Sequence, residues 1–257
     1  MLRLFWAELK RNWLLFKRYP TEAISGVLGI TIIFYGLFLS FKYVGGAGMQ
    51  FGDRLDAVIV SYVLWSLTLF VIGDIAQGLQ REAQTGTLEQ IFLSPFSAMW
   101  VFLLRAIASL TTQLALTVST LVLIMWLTGT RLSFSPILLL PLGTVLLGAY
   151  GFALGIGALA LLIKQVQQLL GIFQFMLFFV LLVPIESWAG QYQFVGWFLP
   201  MSPGAGLLRE IMARGHTLDL TQFAIALVNG LVYFGLGLLA FHWAERRVKQ
   251  HGKLAGY

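Results

Sequence analysis

The chain has 257 residues, 58% of them hydrophobic and only 11% charged, where an ordinary soluble domain carries about 25%. That composition excludes a soluble globular domain and points to a bilayer. The net charge of +6 does not argue for nucleic acid, because the basic residues cluster beside apolar runs, where topology and anionic headgroups account for them.

Residues 1–20 carry Arg3, Glu8, Lys10, Arg11, Lys17 and Arg18, so no charge-free core of a cleavable signal peptide is present. Leu2, Phe5, Trp6, Leu9, Trp13 and Phe16 fall on one helical stripe, with the charged residues facing away. Two readings fit: a helix lying in the membrane interface, or one packed on the protein's own bundle. Both place the segment beside the membrane.

Six apolar runs then read as spans, at 23–41, 57–75, 106–130, 136–163, 165–185 and 220–244. Abundant glycine, 27 residues, suits helices that approach closely in lipid. There is no cysteine, so neither a disulfide framework nor a thiolate metal site exists.

Between the second and third spans lies a polar segment, Gln80–Ser97. Thr87 is placed to cap a short helix, and Leu88, Ile91 and Phe92 share one face at helical spacing. Pro95 is a natural stop. A short amphipathic helix here needs something to dock on, most simply another protein; the alternative is a solvated loop.

Residues 187–208 are uncharged but interrupted by Gly190, Gly196, Pro200, Pro203, Gly204 and Gly206. Broken backbone cannot face lipid, so two short, partly inserted helices are predicted rather than a seventh span. With six spans both ends share a side. Arg3, Lys10, Arg11, Lys17, Arg18, Arg81, Arg105, Lys164, Arg246, Arg247, Lys249 and Lys253 lie there, against Lys42, Arg54, Arg131, Arg209 and Arg214 opposite. The positive-inside rule makes the first side cytoplasmic.

The sequence contains no GxxxxGK[ST] phosphate loop, no HExxH and no Gly-x-Ser-x-Gly elbow. Its histidines, His216, His242 and His251, lack ligand spacing. No catalytic, cofactor or metal residues are assigned. Asp74 and Glu186 stand near predicted span ends rather than at the midplane, which argues against ion coupling. Asp74, if buried, needs a partner such as Arg105 at the base of the third span.

The run Arg81–Ile91 with Ser94-Pro95, then Lys164–Gln168, then Pro184-Ile185-Glu186 followed by Leu199–Pro203 and Leu208–Ile211, resembles the membrane subunits of ABC exporters of the type-two family. The order and spacing match over nearly the whole chain. The resemblance implies an all-α integral membrane fold with an N-terminal interfacial helix, a cytoplasmic coupling helix and an outer re-entrant hairpin between spans five and six. It implies a pair of permease subunits, identical or similar, working with two copies of a separate ABC ATPase subunit, which would bind the ATP and Mg. The coupling helix would be residues 82–95, with Glu82, Gly86, Thr87, Leu88, Glu89, Ile91, Phe92 and Pro95 toward the ATPase. In the outer hairpin, Trp197, Phe198, Pro200, Ser202 and Pro203 close the exit or simply anchor the chain in the headgroup zone. Arg209 and Glu210 take part in a local ion pair or are solvated.

The implied function is export of an amphipathic lipid, drug or glycoconjugate across an inner or plasma membrane. The competing class is a membrane enzyme or non-transporting scaffold that recruits a partner through residues 82–95.

Overall fold

The computed structural model describes residues 2–45, 52–93, 97–163, 167–184 and 193–251. All regular structure among them is helical. In chain order the elements are α1 (Leu2–Arg18), α2 (Pro20–Gly45), α3 (Gly52–Gln84), α4 (Leu88–Leu93), α5 (Ala98–Thr128), a single 3-10 turn (Pro136–Leu138), α6 (Leu139–Ile163), α7 (Gln167–Leu182), α8 (Gln193–Phe198), α9 (Ser202–Met212) and α10 (Leu220–His251).

Five helical stretches among the described residues are long and apolar enough to cross a membrane: Pro20–Ser40, Arg54–Glu82, Ala98–Thr128, Pro136–Ile163 and Leu220–Gln250. The run predicted as the span 165–185 appears as α7, whose 16 residues reach about 24 Å, short of a ~30 Å hydrocarbon core. Residues 164–166 and 185–192 lie outside the described residues. The uncharged segment after them forms two short helices, α8 and α9.

Burial sorts the helices into two groups. The apolar windows of α3 and of the Pro136–Ile163 stretch are 67% and 61% buried, against 11% for α2 and 22% for α10. So α3 and α6 are the axis of the molecule. The outer faces of α2 and α10 carry exposed apolar side chains such as Ile32, Ile33, Val228 and Leu239, which in a multi-pass protein face lipid or another subunit.

The tightest crossing is between α6 and α10, and glycine makes it possible. A Cβ on Gly237 would stand 2.0 Å from the carbonyl oxygen of Gly151, and one on Gly151 would stand 2.3 Å from that of Tyr233. The two backbones touch directly, as small residues allow in membrane helix packing. Gly204 brings α9 against α6 in the same way; a Cβ there would meet Thr144 Oγ1 at 2.5 Å. The start of α6 follows from local chemistry. Ser135 accepts from the Ile137 N–H, and Pro136 occupies the first turn, where no N–H is needed.

At 33 residues, α3 is about 50 Å long, longer than a bilayer core is thick. It therefore carries its last turns, with Arg81 and Glu82, beyond the apolar zone and into the polar junction that leads to α5.

Candidate functional site

The junction is built from the end of α3, the turn Thr85–Thr87, the short helix α4, the base of α5, and α1 packed across them. α3 ends in a Schellman-type cap. Gly86 adopts φ 72°, a left-handed conformation that glycine takes without steric cost. The Thr87 N–H then reaches back to the Glu82 carbonyl at 3.0 Å. The separate helix is shorter than the segment 82–95 predicted from sequence, because residues 82–84 are the last turn of α3.

The Thr87 hydroxyl, expected to cap α4, is turned the other way. It donates to the Glu82 carboxylate in a short hydrogen bond and pairs with Thr85 Oγ1 at 2.8 Å. The Thr87 carbonyl accepts from the Ile91 N–H at 3.2 Å, so α4 begins directly from this knot. Ile91 packs inward on the hydrophobic core. Leu93, which the sequence did not single out, is 85% exposed. The side chains of Leu88, Glu89 and Phe92, and all of Pro95, lie outside the described structure.

Arg105 on α5 organises the junction. Its Nη1 donates to Glu82 Oε1 at 2.6 Å and its Nε to Glu8 Oε1 at 2.9 Å. Arg11 also pairs with Glu8, at 2.8 Å. One guanidinium thus joins three helices: α1, α3 and α5. The Asp74–Arg105 ion pair expected from sequence is replaced by this arrangement. Asp74 instead accepts from Ser109 Oγ at 2.6 Å. The physical reason is reach: Glu82, two turns further along α3, lies level with Arg105, whereas Ser109 lies one turn deeper, level with Asp74.

Glu8 was legible as the only acidic residue among the first 20, but nothing local says that it turns inward. It is buried, with 8% of its surface exposed.

The opposite end of the molecule holds the residues predicted as an outer gate. Pro200 and Ser202 are buried, while Trp197 and Phe198 stay exposed. Their backbone is pinned by α10: Asn229 Nδ2 donates to the carbonyls of Trp197 at 2.8 Å and Leu199 at 3.1 Å, and Asn229 Oδ1 accepts from the Met201 N–H at 3.3 Å. Tyr233 donates to the Phe198 carbonyl at 2.6 Å. Pro203 occupies the first turn of α9, where no N–H is required.

Arg209 is not solvated. It is wholly buried and donates to Ser61 Oγ at 2.9 Å and to the Leu181 carbonyl at 2.7 Å, in the last turn of α7. That carbonyl belongs to the negative end of a helix, a favourable site for a cation. Glu210 turns away to Arg214 and to His216 Nδ1. Asn229, Tyr233 and Ser61 were missed, because a polar residue inside an apolar run does not reveal which backbone it will meet.

The sequence pattern of the ABC-2 type transporter family matches residues 3–213. The chain belongs to that family.

This ABC-2 chain is therefore a multi-pass membrane protein. It is also similar to the protein described as "Probable multidrug ABC transporter permease YbhR" in Escherichia coli K12 and in Escherichia coli O157:H7, with 27% identity over 170 residues to each. The match covers 63% of this chain and 45% of the relative, so the chain spans less than half the length of the curated relatives it matches.

Proposed function

We propose that this chain is the membrane-spanning permease subunit of an ATP-driven exporter, working beside a second permease copy and two copies of a separate ATPase subunit that holds ATP and Mg. The observation that carries the reading is the Arg105 bridge. It ties the polar junction around α4 to the interfacial helix α1 and to the base of α5. A push on α4 would then be transmitted to two long helices at once instead of being lost in a loose loop.

In this reading the chain crosses six times, α7 completing the set, and both termini are cytoplasmic. The α4 segment is the coupling helix. Exposed Leu93 adds an apolar anchor to the predicted Leu88 and Phe92, and Glu89 supplies rim charge that sets orientation more than affinity. At the other face, α8 and α9 form the re-entrant hairpin that closes the exit.

An amphipathic lipid, drug or glycoconjugate is the proposed cargo. Supporting it is an apolar cavity of about 450 Å³ between α3, α5, α6 and α9, lined by Val63, Leu67, Leu121, Phe134 and Leu142 among others. The Escherichia coli relative, described as a probable multidrug permease, leans the same way.

The test is to replace Leu88, Phe92 and Leu93 with Asp, singly and together, then measure ATPase co-purification and export from energised vesicles. The triple variant should lose both while remaining folded in the membrane. Full ATPase binding and full export by that variant would sink the proposal.

A further inference from the structure

Two cavities lie end to end along the seam between α3 and α5. The lower one, of about 490 Å³, sits under α1 and is lined by Arg11, Asn12, Asp74, Arg81, Glu82, Arg105 and Ser109 among others. The upper one, of about 440 Å³, lies between α2, α3 and α5 and is mostly apolar, with Gly26, Ile30, Trp65, Phe70, Gln113 and Leu116 in its wall. Phe70 and Asp74 are four residues apart on α3, and so are Gln113 and Ser109 on α5. The chambers are therefore stacked about 6 Å apart along both helices. A polar chamber under an interfacial helix, continued by an apolar one, has the outline of a single amphipathic molecule.

The polar chamber has an order. Glu8 and Glu82 are taken up by Arg11 and Arg105. Arg81 and Asp74 remain. The Arg81 side chain folds back along α3, its Nε donating to the Gln77 carbonyl at 3.3 Å. Its terminal nitrogens make no further hydrogen bond among the described residues. Beside it, the buried Asn12 Nδ2 has no partner. These are donors waiting for an anion. Asp74 lies seven residues below Arg81 on α3, about two turns, and about one turn below the Gln77 carbonyl on which the Arg81 side chain is folded; Ser109 satisfies one carboxylate oxygen, leaving the other to accept. One further turn along, Gln113 presents an amide at the mouth of the apolar chamber.

We propose that this seam binds a single-chain phospholipid, a lysophospholipid, with its phosphate on Arg81 and Asn12, its free glycerol hydroxyl donating to Asp74, its ester carbonyl level with Gln113 and its one tail in the upper cavity. The order of groups selects this class. On the tail side of its phosphate a diacyl phospholipid offers only ester carbonyls, which a carboxylate repels, while the lysophospholipid offers a hydroxyl, which a carboxylate binds. The site involves no ATPase and stands apart from the coupling reading.

The test uses the full chain in phosphatidylcholine nanodiscs. Lysophosphatidylglycerol with a brominated tail is titrated, and quenching of Trp65 fluorescence is read as the difference between the wild type and Trp65→Phe. Saturable quenching is expected in the wild type. Arg81→Gln should raise the half-saturation concentration about tenfold, the worth of one charge-assisted hydrogen bond. Gly26→Leu should abolish quenching by filling the tail chamber; a Cβ at Gly26 meets nothing within 4 Å, so the side chain enters the chamber without a clash at its stem, and an unchanged melting temperature checks that the variant is folded. Three results would overturn the proposal: quenching that never saturates and is equal in all variants, equal saturable quenching by brominated diacyl phosphatidylglycerol, or complete displacement of the lysolipid from the wild type by inorganic phosphate at millimolar concentration.

Discussion

Arg105 and Glu82 meet at 2.6 Å where the base of α5 passes the last turn of α3, and the same guanidinium holds Glu8 of α1. Three helices that are far apart in sequence share one cation. The pairing is partly buried: the side chains keep 28% exposure at Arg105, 23% at Glu82 and 10% at Glu8.

Removing the cation should therefore cost more than losing a surface salt bridge, because the partly buried Glu82 loses its cation and the buried Glu8 is left with Arg11 alone. Arg105→Met is expected to destabilise the protein by about 2 kcal/mol, between the surface and fully buried limits. Glu82→Gln, which keeps a hydrogen-bonding group, should cost about half as much. Thermal unfolding in mild detergent measures both. A double-mutant cycle on Arg105 and Glu82 should return a coupling clearly above zero.

At Gly86 the surroundings are open and only the backbone angle is at issue. Gly86→Ala should cost about 1 kcal/mol from the left-handed conformation alone. Asn, which tolerates that region better, should recover part of it. If the turn transmits force to α4, the Ala variant should also lower export more than it lowers thermal stability. Equal losses in the two assays would assign Gly86 a purely structural role.

The α6–α10 crossing makes a sharper forecast. Gly237→Ala forces a methyl group against the Gly151 carbonyl and should destabilise by about 3 kcal/mol, near the upper end for overpacking. Gly235, two residues away, faces open space. Gly235→Ala should be neutral or slightly stabilising, since alanine is the better helix former. Comparing the melting points of the two variants separates contact from helix propensity.

Arg209 gives the outer-face prediction. Arg209→Met removes the cation that joins α9 to Ser61 of α3 and to the α7 terminus, leaving a buried carbonyl without its donor. A loss of about 3 kcal/mol is expected. Ser61→Ala should cost only about 1 kcal/mol. Protease cleavage between α7 and α8 should become faster in Arg209→Met and stay unchanged in Ser61→Ala.

Membrane residence, the helical class and the family resemblance were all legible along the chain. Each rests on properties that add up locally: apolar runs, the placement of lysine and arginine beside them, and punctuation by glycine and proline. The inward turn of Glu8, the choice of Ser109 over Arg105 by Asp74, the burial of Arg209, and the pinning of the Trp197–Met201 backbone by Asn229 were not. Those pairings join residues tens to more than a hundred positions apart, and they depend on which helices cross and at what depth. Hydropathy carries no information about that depth, because a buried polar group is satisfied by whatever donor or acceptor the packing happens to bring level with it. The sequence by itself determined that this chain spans a bilayer and keeps a polar knuckle between its second and third spans. Only the packing of α1, α3 and α5 decided which carboxylates that knuckle would hold.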